Sequence, residues 1–147
     1  MIPPFEPTTG NLPPGVHEAS WGELVARYGY TPHRLTLLAG LKAALDVLRA
    51  AGCRRAYIDG SFVTTKVAPI DFDACWDVDG VDLARLDPVL LTFANRREAQ
   101  KRKYSGELFP ADWAADAHGT NFLRFFQRDK DTGQIKGIIA IDLGELP

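Results

Sequence analysis

Apolar residues recur at helical spacing over residues 32–51: Leu35, Leu38, Leu41, Leu45 and Leu48 stand three or four positions apart. That period predicts an amphipathic helix with these leucines facing a core. Thr31 is a suitable N-cap, Pro32 a suitable first helical residue and Gly52 a suitable left-handed stop. A shorter helix is expected from Ser20 to about Tyr28, with Glu23 completing a capping box and Gly29 near its end. Residues 56–59 then read as a short strand, ended by Gly60-Ser61. Over 70–77 the pattern alternates. Ile70, Phe72, Ala74 and Trp76 point one way, and Asp71, Asp73, Cys75 and Asp77 the other, which predicts a strand with one core face. Asp87-Pro88 is expected to open a helix running through Leu90, Leu91 and Ala94 into a basic tail, Arg96 to Lys103. Residues 104–119 read as loop. Residues 121–128 read as a helix with Phe122, Phe125 and Phe126 inward, and 135–143 as a final strand.

Helices and strands interleave, so the expected class is α/β (α+β), a small mixed β-sheet flanked by helices. Residues 1–19 hold five of the ten prolines. They are expected to form an extended arm lying on the rest through Ile2, Phe5 and Leu12, with 20–147 as a single domain. A chain of 147 residues, 46% hydrophobic and 24% charged, supports one core and argues against disorder. No apolar run approaches the roughly 20 residues of a membrane-spanning helix. The first residues also lack the basic and apolar regions of a signal peptide. The expectation is a cytoplasmic protein without a membrane partner. A net charge of −2 excludes polyanion binding by bulk charge, so any nucleic-acid contact must be local. Cys53 and Cys75 have no CxxC spacing, and His17, His33 and His118 are scattered. Neither a zinc pattern nor a nucleophile–histidine pair stands out.

The informative chemistry lies between Tyr57 and Asp73. Two aspartates at i and i+2 of one strand project from the same face, and their charges repel unless a cation stands between them. Asp is also a poor strand former, so a mid-strand pair asks for a reason. Mg²⁺ fits such a pair, because it takes a few carboxylates and fills its other positions with water and phosphate oxygens. Gly60 lets a phosphate approach the backbone, Ser61 adds a hydroxyl and an amide, and Lys66 is a further candidate phosphate ligand. Asp142, flanked by Ile141 and Leu143, is expected to supply a third carboxylate from another strand, as two-metal phosphoryl transfer requires. Of the basic cluster, Arg97, Lys101 and Lys103 are candidate contacts to an acceptor; a solvated helix end is the equally weighted alternative. Asp77 and Asp79 approach a turn and are read as turn residues.

Gly-Ser, nine residues, Asp-x-Asp with hydrophobic flanks, then hydrophobic-Asp-hydrophobic resembles the polymerase-β-like nucleotidyltransferase superfamily, and the small size its minimal members. GSFVTTK, PIDFD, FFQRDKDTG and KGIIAIDL also look like a bacterial and phage nucleotidyltransferase-like family, over about residues 12–143. The resemblance implies a nucleotidyltransferase fold in which Gly60 and Ser61 hold the triphosphate. It implies Asp71, Asp73 and Asp142 as ligands of Mg²⁺ or Mn²⁺. The activity implied is transfer of an NMP from an NTP to a protein or RNA acceptor, in a toxin–antitoxin or phage-defence setting. The alternative is a non-catalytic, antitoxin-like module that keeps the fold and neutralises a partner protein.

Overall fold

The computed structural model describes residues 1–147. Ser20 accepts a hydrogen bond from the Glu23 amide, and the Glu23 carboxylate accepts one from Ser20 N–H. This capping box starts helix α1, Trp21–Tyr28. Thr31 caps helix α2, Pro32–Ala50, through the Arg34 amide. Leu38, Leu41, Leu45 and Leu48 are buried as their period requires. Leu35 is not: it is about half exposed, and Leu37 takes the place expected of it.

Strands β1 (Gly15–Ala19), β2 (Arg55–Asp59), β3 (Phe72–Trp76), β4 (Gly106–Pro110) and β5 (Gly137–Asp142) form one mixed sheet in the order β1-β5-β2-β3-β4. The two outer pairings, β1 with β5 and β3 with β4, are parallel; the two inner ones are antiparallel. The chain is therefore an α+β domain with a five-stranded mixed sheet. None of its helices is long and apolar enough to cross a membrane.

Both edge strands lie where the pattern predicts none. β1 closes the proline-rich segment, whose Leu12 is fully buried. β4 lies in the expected loop of 104–119, and Pro110 is tolerated because β4 is an edge. The helix expected from Asp87 is broken in two. Asp87 caps a short 3₁₀ turn, Pro88–Leu91, and helix α3 spans Ala94–Tyr104. Asn95, Arg96 and Arg97 at its start are left-handed, with φ of 52°, 57° and 60°. Each such residue costs about 1–2 kcal/mol. The expected helix of 121–128 is one turn, α4, Phe122–Phe125.

Alternation divides the sheet into two unequal faces. Ala56, Ile58, Phe72, Ala74, Trp76, Leu108, Ile139 and Ile141 face α1, α2 and α3 in a core of 26 buried residues. The opposite face has only six: Tyr57, Cys75, Ala111, Phe126, Ile138 and Ala140, covered by Phe109, Phe122 and Leu123. Phe122 stacks on Phe109 at 4.1 Å. One helical turn cannot cover a whole sheet face, so the strand ends on this side carry polar side chains.

The connection from Gly60 to Ile70 is fixed from behind by Arg34. Its fully buried guanidinium donates to the carbonyls of Phe62 (2.8 Å), Val67 (3.1 Å), Tyr28 (3.4 Å) and Lys66. A buried cation held by carbonyl dipoles and by the Tyr30 and Phe62 rings ties the loop to α2 and holds both of its ends in place.

Candidate functional site

The register of the sheet assembles the site. Asp59 on β2 lies directly opposite Asp73 on β3, and Asp73 lies opposite Glu107 on β4. Neighbouring strands are about 4.8 Å apart, so three carboxylates form a row across the half-covered face. Like charges directly opposite one another destabilise a sheet, so this row requires protons or cations.

Both are present. Lys136, just before β5, places Nζ 3.4 Å from Asp59 Oδ1. Arg97 reaches Glu107 Oε1 with Nη2 at 2.8 Å and Nε at 3.1 Å, and Lys101 Nζ lies 3.2 Å from the same oxygen. Asp73 has no cation of its own. Its carboxyl hydrogen-bonds to Glu107, and burial, that bond and the charges of Asp71, Glu107 and Asp59 all favour its protonated form. Glu107 is held below the ordinary carboxylate range by Asp73, Arg97 and Lys101, against its own burial. Burial raises Asp59 to about 6, opposed by Lys136 and the Gly60 amide. Its Oδ1 is buried without a hydrogen bond.

Asp71 precedes β3 instead of lying in it, because the expected strand begins two residues late; Ile70 is 85% exposed. Its carboxyl is raised by burial and by Glu107, and lowered by Lys101, Arg97 and Lys130, which ties it electrostatically to the row. Gly60 has φ 82°, and a Cβ there would overlap Asp73 Oδ2. Glycine at 60 is thus required twice, by backbone conformation and by the closeness of Asp73. Ser61 opens the 3₁₀ turn Ser61–Val63, and its carbonyl accepts from the Thr64 hydroxyl at 2.8 Å. Gly60, Ser61, Asp71 and Asp73 therefore come together as expected.

The other expected site residues do not join them in the expected roles. Asp142 lies opposite Arg55, at the far end of β2 from Asp59. Four residues of strand make that about 13 Å. Asp142 is exposed, and its Oδ1 accepts from the Gly144 amide at 2.8 Å, capping the turn Leu143–Glu145. The third carboxylate of the row is Glu107. Lys66 is exposed and forms no ion pair. Arg97 and Lys101 are turned onto Glu107, and Lys103 pairs with Asp87 at 2.5 Å, so none of the three is a free acceptor contact.

Asp59, Glu107 and Lys136 carry no separate signal in the sequence. Asp59 reads as the last residue of a short strand. Glu107 sits in a five-residue segment, Gly-Glu-Leu-Phe-Pro, whose ends suggest a turn. As the side chains stand, no group of three carboxylate, histidine or cysteine residues is arranged to hold a metal ion.

An α+β domain with a row of opposed carboxylates at one end of its sheet is the class that fold and site define. A model of the family of unknown function DUF6932 matches residues 3–142, and the chain belongs to that family. No curated protein and no solved structure matches it.

Proposed function

We propose that the chain is a cytoplasmic, divalent-cation-dependent nucleotidyltransferase that moves an NMP from an NTP to an RNA or protein acceptor. Its carboxylate set is Asp71, Asp73 and Glu107 in place of Asp71, Asp73 and Asp142. The observation that carries this reading is the register Asp59–Asp73–Glu107 beside the Gly60-Ser61 turn. Hard oxygen donors on adjacent strands are the donor chemistry that Mg²⁺ or Mn²⁺ takes, and cation entry would relieve the repulsion now met by a proton and three basic side chains. A bound cation would neutralise the triphosphate and activate the acceptor hydroxyl. Ser61 would offer its hydroxyl and amide to a phosphate. Arg97 and Lys101, released from Glu107, would be placed to meet the triphosphate charge.

The same basic residues support a second reading. Arg97, Lys101 and Lys136 already balance much of the row, as they would in a non-catalytic module that keeps the fold and binds a protein partner. Incubation with each labelled NTP, Mg²⁺ or Mn²⁺, and bulk tRNA or a co-purifying protein separates the two. Nucleotidyl transfer that Asp73→Asn and Glu107→Gln abolish, with folding unchanged, is the expected result. Absence of both transfer and metal-dependent NTP binding would leave the second reading.

A further inference from the structure

We infer that a polar cavity beside the acidic row is a binding site for a phosphate dianion, either free or carried by a nucleoside monophosphate. The cavity, about 410 Å³, lies between the turn at 118–121 and residues 124–135. That volume falls within the roughly 300–1,000 Å³ of small-molecule sites. Its wall is His118, Thr120, Asn121, Arg124, Gln127 and Arg128, with Gly119 and with Ile135 as its single hydrophobic residue.

The charge of this wall is uncompensated. The guanidinium groups of Arg124 and Arg128 are exposed and form no ion pair, hydrogen bond or ring contact; the same holds for Arg54, Arg85 and Arg96, but Arg124 and Arg128 share one cavity wall. The acid of the same turn, Asp116, is not on the wall. Its Oδ1 is taken by the amides of His118 (2.9 Å) and Thr120 (3.1 Å), which hold the turn in shape. Asn121 Oδ1 accepts from the Arg124 amide at 2.9 Å, so the free half of that side chain is its NH₂ donor. Thr120 adds a hydroxyl. Two planar cations, with amide and hydroxyl donors on the same wall, suit a compact oxyanion with several acceptor oxygens. The apolar surface needed for a neutral ligand is missing.

The cavity is joined to the acidic row through the chain. Arg128 pairs with Ile135 in an isolated β-bridge, and the next residue, Lys136, contacts Asp59. None of Asp59, Asp71, Asp73 and Glu107 lines the cavity, so phosphate binding there requires no divalent cation.

Isothermal titration calorimetry in excess chelator tests this with inorganic phosphate, AMP and adenosine. Phosphate and AMP should bind and adenosine should not. Stronger binding of AMP than of phosphate would identify a nucleotide as the source; equal binding would identify free phosphate. Arg124→Gln and Arg128→Gln should each weaken binding about tenfold, the loss of one charge-assisted contact. The double variant should remove it, with an unchanged melting temperature because both side chains are exposed. Asp73→Asn should bind phosphate as the wild type does, so failure of the transferase reading would leave this result intact. A wild type that binds no phosphate, a double variant that binds as well as wild type, or adenosine binding equal to AMP would overturn the assignment.

Discussion

At one end of β2, Asp59 lies opposite Asp73 and next to a row completed by Glu107; at the other end, Arg55 lies opposite Asp142. The two ends share one sheet face and the same kinds of side chain. At the Arg55 end the charges are half-buried or exposed and each has its own partner, Arg55 on Glu18 (its Nε alone left without one), Asp142 on the Gly144 amide and Asp77 by the Tyr57 hydroxyl. At the Asp59 end three carboxyls stand side by side against three cations, Asp59 buried and Asp73 and Glu107 half-buried, and two of the three carboxyls are pushed toward their protonated forms. An aspartate on a sheet face becomes chemically distinctive when its cross-strand neighbours are also acids and water is excluded.

The largest expected contrast is steric. Gly60 and Gly80 have nearly the same φ, 82° and 80°, but a Cβ at 60 would overlap Asp73 whereas at 80 its nearest neighbour is 3.5 Å away. Gly80→Ala should cost about 1 kcal/mol from the backbone alone, and Gly60→Ala about 3 kcal/mol from backbone and overlap together. Urea denaturation measures both. Equal losses would mean that Asp73 is free to move aside and that the acidic end is not rigid.

The next contrast depends on pH. Asp73 keeps its proton to higher pH in the fold than in the unfolded chain, where it ionises near pH 4. As pH rises from 4, the unfolded state holds fewer protons than the folded one, and stability falls until the folded group has also ionised, near pH 8. Asp59 acts in the same direction between about pH 4 and 6. Glu107, held low, has the opposite sign and matters only below its ordinary range. In chelator the melting temperature should therefore decrease from pH 5 to pH 8. Asp73→Asn should flatten that slope and stabilise the protein at pH 8 by about 1–2 kcal/mol, since the amide can still donate to Glu107 without a charge. A slope that is unchanged in Asp73→Asn would place the proton elsewhere.

The smallest effect belongs to the other end. Asp142→Ala should cost about 0.5–1 kcal/mol, the value of a turn cap, with no change in the pH slope. A change in the slope on substituting Asp142 would show that the two ends are coupled.

Much of this was legible before the fold was known. The capping residues Ser20, Glu23 and Thr31, the leucine period of α2 and the alternation of β3 rest on local chemistry, and local chemistry placed them well. β4 did not show, since five residues bounded by Gly106 and Pro110 carry too little pattern to stand out from a loop. β1 was hidden by the prolines around it. The choice of Asp142 over Glu107 has the same origin. The flanks of Asp142 mark it as a strand residue, but which end of the sheet it occupies depends on whether β5 runs parallel or antiparallel to β2. Only the pairing decides that, and the same pairing brings Glu107, Asp59 and Lys136 to Asp73. Gly60, Ser61, Asp71 and Asp73 could be read together because they lie within one short connection whose ends must meet.

Mn²⁺ binding, measured by calorimetry at pH 8 on the wild type, Asp73→Asn, Glu107→Gln and Asp142→Asn, tests the placement of the carboxylate site most directly. Binding by the wild type and by Asp142→Asn, with at least a tenfold loss in both Asp73→Asn and Glu107→Gln, is the expected result, since each removes one charged ligand. A wild type that does not bind Mn²⁺, or a loss in Asp142→Asn as large as that in Glu107→Gln, would contradict it.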